Sequence, residues 1–250
     1  AVDSVSVMTH PLPEVDFEVE NTCFGDFTSF KDLTVGNVIA WSWDFGDGVG
    51  VSNLQNPGYQ YAAAGSYDVS LTVTTDENCD STFTKQIVIY GLPIINAGGN
   101  PVICYGDSSR LGASPTGPMG SIYSWFPAIG LSDPTDPNPW AFPEDTTMYY
   151  LSVTDVNSCS AVDSTLVSVN PLPEVKSIAD TSVCKALPLL LSTSGALNYQ
   201  WTPSDWLDNP KAESPIALPL KNIEYVVTGT DINGCKNSDT VKVEVFNIET

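Results

Sequence analysis

Across 250 residues the chain carries 30 aspartates and glutamates against nine lysines and arginines, a formal charge of −21. Such a surface repels a phosphate backbone, which excludes nucleic acid as a partner. The longest apolar runs, such as 186–191, fall far short of the ~20 residues a bilayer-spanning helix needs. A hydrophobic content of 42% is nevertheless enough to bury cores in one large domain or in two to three small ones.

In chain order, residues 1–10 place Val2, Val5 and Val7 in a strand-like run. The proline joint HPLPEV (10–15) follows and holds the one histidine, His10, in a linker. After Cys23 comes WSWDFGDG (41–48), in which Trp43 and Phe45 point into a core together. Asp47-Gly48 there supplies the positive φ of a tight hairpin. The stretch 65–73 alternates Tyr67, Val69, Leu71 and Val73 against polar neighbours, the pattern of a strand buried on one face. Then the acidic turn DENC ends at Cys79, and the joint YGLPII (90–95) opens a second pass. That pass runs through Cys104, Trp125, a strand with Tyr149, Leu151 and Val153, the turn DVNSC at Cys159, and a closing strand with Val167 and Val169. A third begins at NPLPEV (170–175) and carries Cys184, Trp201, Tyr225 and Val227, DINGC at Cys235, then Val241, Val243 and Val245. No segment shows a 3.6-residue apolar stripe, and 19 prolines and 18 glycines punctuate the chain.

These passes repeat with a period of roughly 80 residues. Residues 161–175, AVDSTLVSVNPLPEV, repeat the opening AVDSVSVMTHPLPEV with ten identities in fifteen positions. The expected units are therefore 11–90, 91–170 and 171–250, with 1–10 as the closing strand of a preceding repeat in a longer tandem array. Short strands, frequent turns and a Cys…Trp…Cys order predict seven-stranded sandwiches. Register pairs the cysteines within units, as Cys23–Cys79, Cys104–Cys159 and Cys184–Cys235. Each bridge would close roughly 50 residues and contribute about 3–4 kcal/mol. Three disulfides place the chain in an oxidising compartment outside the cytoplasm. No cysteine lies near another cysteine or a histidine, which argues against zinc.

Residues 41–73 resemble a polycystic-kidney-disease (PKD) domain. The W-x-FGDG turn, the N-P-x-x-x-Y stretch at 56–61 and the G-x-Y-x-V-x-L strand at 65–71 appear in the family's order. Tyr59 stands where the family usually has His. The second and third units lack FGDG and resemble related Ig-like repeats with a W-x-P-x-x-x-L signature, here Trp125-Phe126-Pro127…Leu131 and Trp201-Thr202-Pro203…Leu207. The resemblance implies tandem repeats of giant secreted Bacteroidetes cell-surface proteins, exported by type IX secretion and displayed as adhesins, filaments or hook-like appendages.

Catalytic signals are lacking: there is no GxSxG, no HExxH and no phosphate loop between strand and helix, so the expectation is a non-enzyme without a cofactor. A Ca2+ ion at Asp44 and Asp47 is weighed against a turn-forming role, which is preferred. Trp41, Trp140 and Trp206 fall outside the core register and are candidates for surface contact. The tripeptides DSV, DST and DTV open closing strands and resemble Bacteroidetes O-glycosylation sites, which makes Ser4, Ser164 and Thr240 candidates.

The expected fold is all-β, a rod-like array of tandem Ig-like (PKD-like) sandwiches. The expected function is structural, as a segment of a long extracellular, cell-surface protein that gives reach, stiffness and attachment. The alternative is a spacer or carbohydrate-binding module array of a secreted hydrolase. Expected partners are other domains of the same long chain, sister chains in a homo-oligomeric filament, or a cell-surface or glycan target.

Overall fold

The computed structural model describes residues 11–20, 22–113 and 116–247. The expected closing strand at 1–10, with His10 and Ser4, lies outside them. Every regular element among the described residues is a β-strand.

In the first repeat the strands are β1 (Phe17–Glu20), β2 (Thr28–Asp32), β3 (Val38–Asp44), β4 (Val51–Ser52), β5 (Gly58–Tyr59), β6 (Gly65–Thr75) and β7 (Asp80–Ile89). They form two sheets, β1-β2-β5 and β4-β3-β6-β7. The alternation read at 65–73 is the inner face of β6, where Val69, Leu71 and Val73 are fully buried. They pack with Phe17, Phe30, Trp43 and Phe45 into one core between the sheets. Trp43 meets Phe17 edge-on at 5.1 Å and Phe30 at 5.5 Å, the tilted geometry that suits aromatic quadrupoles.

The second repeat contributes β8 (Val102–Cys104), β9 (Ser109–Arg110), β10 (Ile122–Phe126), β11 (Trp140–Ala141), β12 (Thr147–Thr154) and β13 (Ser160–Asn170). Its sheets are β10-β12-β13-β8 and β11-β9. The third contributes β14 (Lys176–Ser177), β15 (Thr181–Cys184), β16 (Leu189–Leu190), β17 (Thr193–Ser194), β18 (Asn198–Thr202), β19 (Ile216–Ala217), β20 (Ile223–Thr230) and β21 (Lys236–Phe246). Its main sheet is β15-β21-β20-β18, with the pairs β14-β17 and β16-β19. Its core holds Trp201, Tyr225, Val227, Val241 and Val243.

The three tryptophans at core register are all buried. Each indole Nε1–H donates to a backbone carbonyl eleven residues downstream: Trp43 to Leu54 (2.9 Å), Trp125 to Asp136 (3.0 Å) and Trp201 to Ala212 (3.1 Å). A buried indole left without an acceptor would be costly, so the loop beyond each tryptophan is held by this bond. The Ig-like signature also has a shared backbone feature, because Phe126-Pro127 and Thr202-Pro203 are both cis.

By compactness the chain forms two units. One comprises the described parts of Ala1–Asn96, Ser114–Ser124 and Leu151–Asp163, and the other those of Ala97–Ala113, Trp125–Tyr150 and Ser164–Thr250.

The expected disulfides within repeats do not form. The bridges are Cys23–Cys159 and Cys104–Cys235, each with Cα atoms 5.5 Å apart, while Cys79 and Cys184 are free. The closing strand supplies the reason. In the first repeat Cys79 immediately precedes β7, and Cys23 forms a parallel bridge with Tyr90 just past its far end. Cys235 likewise precedes β21, whereas Cys184 pairs with Phe246, its last residue. Cys159 precedes β13, and Cys104 pairs with Asn170, its last residue. These strands are 10 or 11 residues long. At ~3.3 Å per residue the two cysteines of a repeat stand roughly 33–36 Å apart, and a disulfide spans Cα atoms no more than about 7 Å apart. The repeat period admits two periodic pairings, and the protein adopts the one that joins consecutive repeats.

Candidate functional site

Two kinds of structure recur at the ends of the sandwiches. The first is the seat of the leading cysteine, beside the end of the closing strand. In all three repeats the residue after it donates its N–H to that strand's end: Phe24 to Tyr90 O (2.8 Å), Tyr105 to Asn170 O (2.8 Å), Lys185 to Phe246 O (2.9 Å). A tight turn then returns to the cysteine carbonyl, which accepts from Asp26, Asp107 and Leu187 respectively.

The second is the hairpin of the trailing cysteine. Its carbonyl accepts from the N–H of Thr75, Asp155 or Asp231 at 2.9–3.0 Å. Its own N–H donates to the side chain of the same residue, at 3.2 Å to Thr75 Oγ1, 2.9 Å to Asp155 Oδ1 and 2.8 Å to Asp231 Oδ1. The residue before the cysteine takes positive φ in each, Asn78 at 55°, Ser158 at 67° and Gly234 at 84°. Asn and Gly suit that conformation, and the local hydrogen bonds hold Ser in it. Where the two structures meet around Cys104–Cys235, the cleft lined by Tyr105, Asp107, Leu172, Gly234 and Lys236 is about 320 Å³.

The FGDG turn makes a third feature, confined to the first repeat. Asp44 Oδ1 accepts from Gly46 N–H (2.9 Å), and Asp47 Oδ1 from Val49 (3.0 Å) and Gly50 (2.7 Å). Asp47 Oδ2 takes the Tyr59 hydroxyl, whose ring stacks on Phe45 with centroids 4.2 Å apart. A Cβ on Gly50 would overlap that ring, so glycine is what lets Tyr59 lie across the turn. Burial alone would raise the Asp47 carboxyl, but the Tyr59 hydroxyl and the Gly50 and Val49 N–H groups outweigh it and hold the pKa below its usual 3.8. The same bond to Asp47, with some burial, pushes the Tyr59 phenol up to about 12. These carboxylates are engaged as turn-formers, and the described residues contain no group of three or more His, Cys, Asp or Glu suited to a metal ion.

Replacing Tyr59 by Phe keeps the stack and removes the hydroxyl, and we expect a loss of about 1 kcal/mol at neutral pH for this surface-near bond. Asp47 has its folded pKa below its unfolded value, so its contribution is complete above pH ~4 and is lost as pH falls through the folded pKa. The Phe variant should lose less in that interval. Tyr59 has a raised pKa, so its contribution is complete below pH 10 and is lost as pH climbs to about 12. That alkaline loss should vanish in the variant. Urea denaturation in acid, neutral and alkaline buffers reads both arms, and identical pH profiles would refute the coupling.

The remaining candidates disperse. Trp41 is half-buried and donates Nε1–H to Asp32 Oδ2 at 2.7 Å, tying β3 to the facing sheet. Trp206 is partly buried with φ 60°, and its carbonyl accepts from Leu218. Trp140 is 51% exposed on the two-residue strand β11. Ser164 and Thr240 are exposed on β13 and β21. Beside Thr240, Asp239 Oδ2 accepts from both the N–H and the hydroxyl of Ser177 at 2.7 Å, and these bonds hold its pKa low. The DTV tripeptide thus fastens the closing strand to β14. Sequence reasoning missed that clamp, the Tyr59–Asp47 pair and the stagger of the disulfides.

Strand order, buried tryptophans and recurring sandwich ends define a tandem array of Ig-like β-sandwiches. Residues 11–89 match the family model described as PKD domain, and that stretch belongs to the PKD family. A 68-residue stretch is 40% identical to microbial collagenase of Vibrio alginolyticus, covering 27% of this chain and 8% of that protein. Another of 79 residues is 41% identical to the pre-pro-metalloprotease PrtV of Vibrio cholerae, covering 32% and 8%. Among solved structures, the PKD1 domain of Vibrio anguillarum Epp is 31% identical, with 32% of this chain and 96% of that one covered and a TM-score of 0.30. The chain thus spans 8% of the length of these two curated relatives. No helix among the described residues is long and apolar enough to cross a membrane.

Proposed function

We propose that this chain is a load-bearing structural segment of a long extracellular surface protein. The observation that carries the reading is the pair of disulfides joining consecutive repeats, Cys23–Cys159 and Cys104–Cys235. A bridge within a repeat stabilises that repeat, whereas a bridge between neighbours resists their separation. Disulfides also belong to oxidising, extracytoplasmic compartments. The proline joints act in the same direction, since X-Pro keeps a linker extended. The setting follows the repeats that this chain resembles: a giant Bacteroidetes surface protein exported by type IX secretion and working as an adhesin, filament or hook. Its partners are neighbouring domains of the same chain, sister chains, or a glycan or cell-surface target met through exposed aromatics such as Trp140. Ser164 and Thr240 are accessible for O-glycosylation.

A second reading is favoured by the relatives, because the matching stretches lie in a collagenase and a pre-pro-metalloprotease. There the array would be a spacer or carbohydrate-binding tail of a secreted hydrolase. A catalytic domain in the complete open reading frame would decide for it. Small-angle scattering tests the mechanical reading. We expect an elongated particle, and a radius of gyration near the ~18 Å of a compact 250-residue globule would overturn it.

A further inference from the structure

We propose that Cys184 and Cys79 are the two halves of a further inter-repeat disulfide, so that each joins this chain covalently to another repeat of the same architecture. The grounds are the bonded counterparts. Cys23 and Cys104 sit beside the end of a closing strand, opposite Tyr90 just past β7 and Asn170 at the end of β13, and both are bridged to the hairpin cysteine of the next repeat. Cys184 occupies the same seat, opposite Phe246, with the same hydrogen bonds from Lys185 and Leu187. Cys159 and Cys235 sit in hairpins closed by a residue four positions earlier, and both are bridged to the preceding repeat. Cys79 occupies the same hairpin, closed by Thr75 and by Asn78 at positive φ. Yet Cys79 and Cys184 are free and partly exposed. One is a hairpin half without a strand-end half, and the other is the reverse.

The chemistry balances as thiol–disulfide exchange. Each thiol gives up its proton, the pair gives up two electrons, and an S–S bond forms. A small-molecule disulfide such as oxidised glutathione takes up the protons and electrons and breaks into two thiols. The partner's chemistry is a sandwich of this kind, which either a flanking repeat in the same polypeptide or a second copy of this chain can offer. A flanking repeat has the advantage of high effective concentration.

The test uses the full chain and a tandem in which residues 11–250 directly follow the full chain. In the tandem, Cys184 of the first copy and Cys79 of the second are separated by about the same length as the 136 and 131 residues of the existing bridges. Both proteins are reduced, reoxidised with a glutathione couple and mapped by non-reducing peptide mass spectrometry. We expect a third bridge in the tandem, Cys184 to Cys79, at a rate within about threefold of the other two. Its formation in the tandem alone identifies a flanking repeat as the partner. Head-to-tail Cys184–Cys79 linkage of separate chains, absent in the Cys79→Ser and Cys184→Ser variants, identifies a second copy. The proposal fails if both thiols stay free in both proteins while Cys23–Cys159 and Cys104–Cys235 are intact. It fails equally if like pairs, Cys79–Cys79 or Cys184–Cys184, predominate.

Discussion

Changing Gly46 to Ala should destabilise the first repeat by about 3 kcal/mol or more, whereas Gly48→Ala, two residues on, should cost only about 1 kcal/mol. Both glycines take positive φ, 79° and 83°, so the left-handed penalty on an L-residue is common to the two. The surroundings differ. A Cβ on Gly46 would lie 2.5 Å from the Asp68 carbonyl oxygen and 2.9 Å from its backbone C and N, while a Cβ on Gly48 meets nothing within 4 Å. Asp68 belongs to β6, which pairs with β3 on one side and β7 on the other, so it has no freedom to retreat. The turn must therefore lift away from the sheet, and Phe45, which is 1% exposed, would leave the core with it. For a domain whose whole stability is of the order of 5–15 kcal/mol, a loss of that size is severe. Hydrogen exchange at Val69, Leu71 and Val73 in the full chain reports it locally. Equal losses in the two variants would show that the close approach to Asp68 is not limiting.

That contrast also marks the boundary of what a sequence can tell. The Asp-Gly step of FGDG is legible as a hairpin turn, because local backbone chemistry dictates it. The heavier constraint on Gly46 is not, because it comes from a strand more than twenty positions away in the chain. The all-β class, the strand at 65–73 and the burial of Trp43, Trp125 and Trp201 were readable from period-two alternation and register. The fate of Trp41 was not, since its partner Asp32 lies on the facing sheet. Cysteine pairing failed for a related reason. Spacing fixes which positions are equivalent, but it does not say at which end of a sandwich each one sits. That depended on the parallel pairing of β8 and β15 with the closing strands, which no alternation pattern encodes.

Stretching the oxidised chain should yield far less length than stretching the reduced one. The bridges Cys23–Cys159 and Cys104–Cys235 interleave, so the shortest covalent path from Cys23 to Cys235 crosses both bridges and only the roughly 55 residues between Cys159 and Cys104, instead of about 212. At ~3.5 Å per fully extended residue, the ceiling on that span falls from roughly 740 Å to roughly 190 Å. Pairing within repeats would leave about 50 residues in the path and a ceiling of roughly 175 Å. Single-molecule force spectroscopy with and without reductant separates the bridged chain from the unbridged one, and the Cys159→Ser variant separates the two pairings. That variant leaves about 81 residues (roughly 285 Å) for the staggered bridges and about 105 (roughly 370 Å) for bridges within repeats. Without reductant, a span that reaches the ceiling of the unbridged chain, or a Cys159→Ser variant that extends to the ceiling for pairing within repeats, would contradict the staggered arrangement. The physical consequence lies in what the load bypasses. From Cys159 the chain runs through β13, the proline joint and β15 to Cys184, a short path that already lies mostly extended. Once Cys184 is bridged onward, that nearly taut path carries the tension from one bridge to the next. The sandwiches then unfold only when a disulfide breaks, and chain slack contributes little. An array linked in this way holds its length under pull through covalent connectivity, with the β-cores serving to keep each cysteine at the correct end.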